Sequence, residues 1–171
     1  MIDSTEARMV NRDDVIALLE SKGIEYKSEK HKAVFSIEEM ESAGVPDSER
    51  IAKNLFLRDD KKRAYYLVSI RNDRTCDLKA LRNMIGSRPL SFASVSDLES
   101  ILGLGKGEVT PFGLLNDEEH KTKFILDSFF SEGVIGIHPN DNTETVFLNS
   151  SSLISILSDR GTECIVLNFE K

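Results

Sequence analysis

A lysine interrupts an otherwise apolar run in "IAKNLFL", residues 51–57. If the run is a strand, Lys53 shares a face with its large aliphatic side chains, whereas Asn54 points to the other face. An ammonium group seldom lies among such neighbours. Two interpretations are open: Lys53 lies in a pocket, where it serves for its positive charge or its hydrogen bonds, or it is an edge lysine whose stem covers apolar surface while its head reaches water.

A histidine ends an apolar run and precedes a proline in "GIHPNDNT". The proline restricts His138 to an extended conformation, which holds the imidazole at the end of a strand, a common place for site residues. The alternative is an imidazole that satisfies the carbonyls of the following turn. Asn142 alone is typical of such a turn. His31, in a charged segment, is a further candidate for this site, although nothing in the sequence requires it there.

Four glycines and Pro111 in the stretch from Gly103 to Gly113 predict a loop. The part that could present backbone N–H groups to a ligand is Gly107–Pro111, because glycine permits close approach and proline stiffens the loop. The loop matches neither a phosphate loop nor a dinucleotide fingerprint, which excludes those ligands. The sequence has no HxxxH spacing or GxSxG motif, so we expect no metal and no cofactor.

Short helices and short strands must position these residues. Strands are predicted at residues 24–29, 51–59, 64–71, 123–130, 133–138, 145–149 and 163–169. Helices are predicted to begin at Asn11, at a Ser36–Glu39 capping box, near Asp77, at Ser94 or Ser96, and at a serine of the run 150–152. The chain lacks the long spacing of repeated βαβ units. We therefore predict an α+β fold, one domain over residues 1–171 around a mixed, strongly curved sheet.

Composition limits the partners. The 171 residues carry a net charge of −7 and contain no apolar run near the ~20 residues of a membrane span. The first residues lack a signal-peptide core, so we expect a cytoplasmic protein without membrane contact. Residues 50–89 nevertheless hold eleven Lys/Arg against four acids, a net +7 that leaves −14 for the rest. This segment is either a face for a phosphate backbone or a solvated surface.

Four segments in order carry a family resemblance: "VIALLESKGIEYKSEKHKAVFSIEEM", "IAKNLFLRD", "GEVTPFGLLND" and "VIGIHPNDNTETV". From about Asn11 to Phe169 the chain resembles the YbaK/ProX family of aminoacyl-tRNA deacylases, freestanding relatives of the editing domain inserted in bacterial prolyl-tRNA synthetases. The Lys-Asn pair and the HPNDN turn look closest to the ProX/PrdX branch. The resemblance implies a mixed sheet curled into a partial barrel and flanked by short helices.

The resemblance also implies an activity and a site. The activity is trans-editing hydrolysis of mischarged tRNA, in this branch alanyl-tRNA(Pro), through the acceptor stem. Prolyl-tRNA synthetase is an additional candidate partner. The implied catalytic residues are Lys53, Asn54 and His138. The implied substrate-binding residues are Gly107, Glu108, Val109, Thr110, Pro111, His31 and Asn142.

Other functions stay open on the sequence alone. The substrate could instead be a cysteinyl- or seryl-tRNA, or the chain could be a non-catalytic module that binds an amino acid or an aminoacyl-tRNA end. A third option is a small structural protein with a chance pocket. The editing hypothesis requires Lys53, the Gly107–Pro111 loop and His138 to surround one small hollow.

Overall fold

The computed structural model describes residues 9–33, 37–42 and 44–170. The strands are β1 Tyr26–Lys30, β2 Ala52–Asp59, β3 Tyr65–Arg71, β4 Leu90–Phe92, β5 Thr122–Asp127, β6 Val134–Ile137, β7 Glu144–Asn149 and β8 Cys164–Leu167. The α-helices are α1 Arg12–Ser21, α2 Ile37–Ser42, α3 Leu78–Ile85, α4 Val95–Asp97 and α5 Ser150–Asp159. Short 3₁₀ segments cover Ser48–Arg50, Pro111–Asn116 and Ser128–Phe130, and a π-helical turn covers Leu98–Leu102.

Two sheets build the fold. The larger has the order β4-β2-β3-β5-β8, in which the β2–β3 hairpin is antiparallel and β3, β5 and β8 run parallel. The smaller is antiparallel, in the order β1-β7-β6. A single bridge between Ile51 and Gly136 links them. The α+β prediction is confirmed, but the curved sheet consists of two sheets, and in the part of the chain described here they do not close into a barrel.

The larger sheet is buried on both faces. Between the two sheets lies the main core, whose fully buried members include Leu19, Leu67, Phe112, Phe124, Ile135 and Leu153. On the other face a smaller cluster forms under α3 from Leu57, Tyr66, Val68, Ile70, Leu81 and Ile125. Successive residues of β2 and β3 therefore enter different cores, which explains their near-continuous apolar character.

The predicted helix boundaries at α1 and α3 are confirmed. Asn11 caps α1 in a capping box, in which its side chain accepts from the Asp14 N–H and the Asp14 carboxylate accepts from the Asn11 N–H, both at 3.0 Å. The helix then buries Val15 and Leu19, four residues apart on one face. Helix α3 ends at Gly86, whose φ of +68° suits glycine.

One strand was missed, and two predictions of local structure are wrong. β4 was not predicted, because three residues are too few to show a period. The strand expected to reach residue 130 ends at Asp127, whose carboxylate accepts from the Phe129 N–H at 3.0 Å and so turns the chain. Residues 111–116, predicted in part as loop, form a buried 3₁₀ helix that begins at a proline.

The structure selects one of the two caps predicted for α4 and shows that the serine cap predicted for the last helix is wrong. Ser94, rather than Ser96, caps α4, and the helix continues as the π-helical turn up to Gly103. α5 is capped by the side chain of Asn149, which accepts from the Ser151 N–H at 3.0 Å, and not by a serine. The predicted Ser36 cap of α2 lies outside the described residues.

Candidate functional site

The Lys53–Asn54 pair is split between the two faces of β2. The Asn54 side chain points towards the main core, where its Oδ1 accepts from the Ser69 hydroxyl at 2.5 Å across the hairpin. Lys53 lies half-buried on the opposite face, and its Nζ donates to the carbonyl of Arg74. The alternation predicted from the sequence holds, and the ammonium has a backbone partner on the α3 side of the sheet.

A cleft of about 290 Å³ opens beside β2. It is lined by Asn54, Leu55, Phe56, Phe92, Ala93, Ser94, Val95, Leu98, Lys106, Gly107 and Val109. Strand β2, the end of β4 and the glycine loop thus contribute to a single hollow. Of these lining residues, Lys106 is the one with a charged side chain, so the walls are mostly apolar.

The early end of β4 exposes an edge of β2 to this cleft. The Phe56 carbonyl accepts from the Ala93 N–H at 3.0 Å, which fixes the edge of β2 that faces β4. Backbone groups repeat their direction every second residue, so the N–H and C=O of Asn54 point to the same edge. The last β4 residue in register is Phe92, opposite Leu57. The backbone of Asn54 therefore faces the cleft beyond the paired part of the strand.

The glycine loop is braced by its own groups. The Glu108 N–H donates to the Gly105 carbonyl at 3.1 Å, and the Gly105 N–H donates back to Glu108 Oε1 at 3.0 Å. Gly107 has φ of +78°, a conformation that favours glycine. Pro111 starts the buried 3₁₀ helix directly after Thr110. The loop consequently presents a fixed backbone to the cleft.

Thr110 joins this loop to His138. Its side chain is fully buried, and its hydroxyl donates to the His138 carbonyl at 2.6 Å. The next turn is closed by the Gly113 N–H, which donates to the Thr110 carbonyl at 2.9 Å. Two segments of the predicted site, 28 residues apart in sequence, are thus in direct contact.

The imidazole of His138 is held in one orientation. Its Nδ1 lies 2.9 Å from the Glu144 carbonyl, and because a carbonyl only accepts, we assign the proton to Nδ1 and the lone pair to Nε2. Burial lowers the pKa of His138 from its ordinary 6.5, which favours the neutral form. The centroids of the His31 and His138 rings are 5.9 Å apart. The Nε2 of His31 lies 2.9 Å from the Thr145 hydroxyl.

Glu144, whose backbone carbonyl accepts from His138, also carries a buried carboxylate. Glu144 is 3% exposed, accepts from Arg12 Nε at 2.7 Å and Nη2 at 3.2 Å, and accepts from the Ser28 hydroxyl. The hydrogen bond from Arg12 lowers the pKa of Glu144. No local pattern predicts this network, because Arg12 and Glu144 are 132 residues apart and each is ordinary in its local context.

The turn after His138 is fixed by its own side chains. Asp141 Oδ1 accepts from the Thr143 N–H at 2.8 Å and from its hydroxyl at 2.5 Å. Asn140, at φ of +60°, donates through Nδ2 to the Val10 carbonyl at 2.9 Å. Asn142 is buried within this turn.

The predicted site residues form two adjoining groups. Asn54, Gly107 and Val109 line the cleft, and Thr110 connects their loop to the His138 and His31 pair. Within the described part of the chain, Lys53 and His138 do not line that cleft. Their convergence with the loop on one hollow stays a prediction.

Several cations of the basic segment, residues 50–89, are engaged in contacts within the fold. Arg50 packs over the Phe129 ring, and Arg71, Arg74 and Arg88 pair with Asp73, Asp127 and Asp60. Among the residues described, five exposed cations of this segment carry no ion pair, and we call them the basic ridge: Lys61, Lys62, Arg63, Lys79 and Arg82. The Arg88–Asp60 pair, 2.6 Å long, ties the β2–β3 turn to the chain after α3.

Within the described ranges, none of the helices has the length and apolar character of a membrane span.

Fold and site define a small α+β domain with a loop-lined cleft at a sheet edge. Residues 31–156 match the sequence profile of the aminoacyl-tRNA editing domain, and the chain belongs to that family. It is 43% identical over 148 residues to the prolyl-tRNA editing protein ProX of Acetoanaerobium sticklandii, covering 86% of this chain and 90% of that protein. The resemblance inferred from the sequence is confirmed.

Two further comparisons agree. The chain is 35% identical over 151 residues to the prolyl-tRNA synthetase associated domain-containing protein 1 of Bos taurus, covering 83% of this chain and 85% of that one. A crystal structure described as a candidate trans-editing enzyme for prolyl tRNA synthetase superposes with a TM-score of 0.71. That match covers 94% of this chain and 96% of the other at 17% identity, and it shows the same fold.

Proposed function

We propose that this protein is a trans-editing hydrolase that removes a small amino acid from mischarged tRNA, with alanyl-tRNA(Pro) as its substrate. The observation that carries the proposal is the single cleft shared by Asn54 and the Gly107–Pro111 loop. Membership of the aminoacyl-tRNA editing family supports it, as does the 43% identity to a protein named for prolyl-tRNA editing.

The bond to be broken is the ester between the amino acid and the ribose of the terminal adenosine. A water attacks the ester carbonyl, and negative charge develops on its oxygen. The Asn54 N–H, which faces the cleft at the open edge of β2, is placed to donate to that oxygen together with N–H groups of the glycine loop. Preorganised donors of this kind stabilise the transition state without reorganising during the reaction.

His138 and Lys53 take supporting roles in this proposal. Neutral His138 offers the lone pair of Nε2 as an acceptor for the ammonium group of the amino acid or for the attacking water. Lys53 has three donors, one of which the Arg74 carbonyl accepts. Leu55 shares the face of Lys53 and lines the cleft, so a change of lysine torsions brings the ammonium towards that rim, where it offsets developing negative charge.

Selectivity would follow from volume. A synthetase site sized for proline rejects a smaller amino acid weakly, because a missing methylene is worth only about 1–3 kcal/mol. A second, smaller site corrects this by admitting alanine alone. The part of the 290 Å³ cleft that receives the amino acid would have to be too narrow for proline.

The basic ridge is proposed to contact phosphates of the acceptor stem, and prolyl-tRNA synthetase is the candidate source of any further tRNA selection. We also propose that the protein acts in the cytoplasm. Among the described residues, the five cations of the ridge have no acidic partner, while the net charge of −7 disfavours non-specific association elsewhere.

The deciding experiment measures release of labelled alanine, cysteine and serine from the corresponding mischarged tRNA(Pro) by the wild-type protein. Correctly charged prolyl-tRNA(Pro) is the control. We expect fastest release from alanyl-tRNA(Pro) and little from the control. Preference for cysteinyl- or seryl-tRNA would correct the substrate, and absence of turnover with all four would refute the hydrolase.

A non-catalytic binding module is the second candidate. The observation in its favour is the lining of the cleft, in which Lys106 alone among the lining residues has an ionisable side chain. A binding module predicts a saturable complex with alanyl-tRNA(Pro) that slows spontaneous hydrolysis of the ester. Acceleration of that hydrolysis by the protein would exclude it.

A further inference from the structure

The most exposed large apolar side chain of the described residues lies on the cleft. Phe92 is 60% exposed, and Val95, 45% exposed, lines the same hollow. Phe92 is the last residue of β4 and stands opposite Leu57, immediately before the edge of β2 opens. An exposed aromatic ring on the lining of a ligand-sized hollow is available to a ligand that binds there.

The charge at this cleft restricts the ligand. Lys106, exposed on the loop, is the charged member of the lining, and the carboxylate of Glu108 is engaged by the Gly105 N–H. An exposed aromatic ring and an exposed ammonium on the same cleft suit a group with a flat π system and a nearby negative charge. A nucleotide has both, because its base stacks on an aromatic side chain and its phosphate pairs with a cation.

We propose that Phe92 is the platform on which the terminal base of the tRNA stacks, and that Lys106 binds the phosphate of that terminal nucleotide. The inference rests on the proposed function, since it places the ester at the Asn54 edge and the attached nucleoside over Phe92. It adds a binding site for the nucleotide that is separate from the donors that act on the ester. A protein segment docked on the same apolar rim is the competing occupant.

The test uses uncharged tRNA whose terminal adenine is replaced by 2-aminopurine, a base whose fluorescence is quenched when it stacks. The variants are F92A, F92Y, which keeps the ring, and V166A as a matched control. Val166 is 46% exposed on β8, the opposite edge of the larger sheet. Because Phe92 and Val166 are exposed, neither change is expected to unfold the protein, which a thermal melt checks.

We expect wild type, F92Y and V166A to change the fluorescence alike, and F92A to lose the response. Loss of stacking should also lower kcat/KM for alanyl-tRNA(Pro) by about 5- to 150-fold in F92A. Removal of the Lys106 ammonium in K106A should reduce the salt dependence of tRNA affinity by a slope of about 1.

F92A with wild-type fluorescence response and wild-type kcat/KM would overturn the proposal and leave the apolar rim to a protein partner. The two proposals fail separately. A wild-type protein that hydrolyses no mischarged tRNA refutes the deacylase, whereas the fluorescence of uncharged tRNA still reports whether the base stacks on Phe92.

Discussion

The contact between Thr110 and His138 offers the sharpest test of how the site is held together. In Thr110→Val the side chain keeps its shape but loses the hydroxyl that donates to the His138 carbonyl. Thr110 is fully buried, so water cannot replace the lost donor easily. A methyl group also cannot stay where the hydroxyl was, because a carbon and a carbonyl oxygen approach no closer than about 3.3 Å.

The lost hydrogen bond and the longer contact each have an expected magnitude. An unsatisfied buried acceptor costs about 1–3 kcal/mol, which for a chain of this length corresponds to a melting temperature lowered by about 2–12 °C. The observed 2.6 Å contact must lengthen by about 0.7 Å, which moves the glycine loop away from His138. Displacements approaching 1 Å at a catalytic site reduce rates by about 100-fold, so we expect kcat/KM to fall by about 10- to 100-fold.

Urea unfolding and alanyl-tRNA(Pro) hydrolysis should be measured on the same preparations. Thr110→Ser keeps the hydroxyl and should stay close to wild type in both assays. Thr143→Val is the control, because its hydroxyl binds Asp141 two residues away in an exposed turn. If Thr110→Val changes the unfolding free energy by less than about 0.5 kcal/mol and leaves hydrolysis intact, the loop is not held through this bond.

Three further outcomes are expected. Lys53→Ala should abolish hydrolysis of alanyl-tRNA(Pro) with the circular dichroism spectrum preserved, and Lys53→Met, which keeps the stem, should behave alike; undiminished turnover in either would remove the ammonium from the mechanism. Burial lowers the pKa of His138, so the unfolded chain binds the proton more readily than the folded protein. The contribution of neutral His138 to the unfolding free energy is therefore complete above about pH 6.5 and declines as the pH falls towards the folded pKa. Urea unfolding of His138→Gln should show a smaller loss of stability over that pH range than wild type. The double change Lys62→Ala and Arg63→Ala should reduce the salt slope of tRNA affinity by about 2, whereas a flat wild-type response would contradict a phosphate contact at the basic ridge.

Much of the scaffold follows from local signals in the sequence. The alternation in β2 assigned Lys53 and Asn54 to opposite faces, and Asn11 and Gly86 marked the boundaries of their helices. Proline after His138 predicted an imidazole at the end of a strand, and β6 does end at the residue before it. Such features depend on a few neighbouring residues, so a single chain is enough to infer them.

The contacts that orient the site do not follow from local signals. No residue near Lys53 in sequence predicts that the Arg74 carbonyl accepts from it, and no residue near Glu144 predicts that its carboxylate pairs with Arg12. Those pairings arise when the chain closes on itself. A pattern of propensities describes each segment, but it does not say which backbone group will face which side chain across the fold.

The length of β4 matters more to this site than any single side chain. β4 pairs with residues 57–59 of β2 and then leaves the sheet, and the residues that follow form one wall of the cleft. Had β4 continued by two residues, the N–H and C=O of Asn54 would be consumed by the ladder and the edge would be closed. An open edge usually invites pairing with another chain. Here residues of the glycine loop and α4 line the cleft at this edge, which leaves room for a compact group but not for another strand.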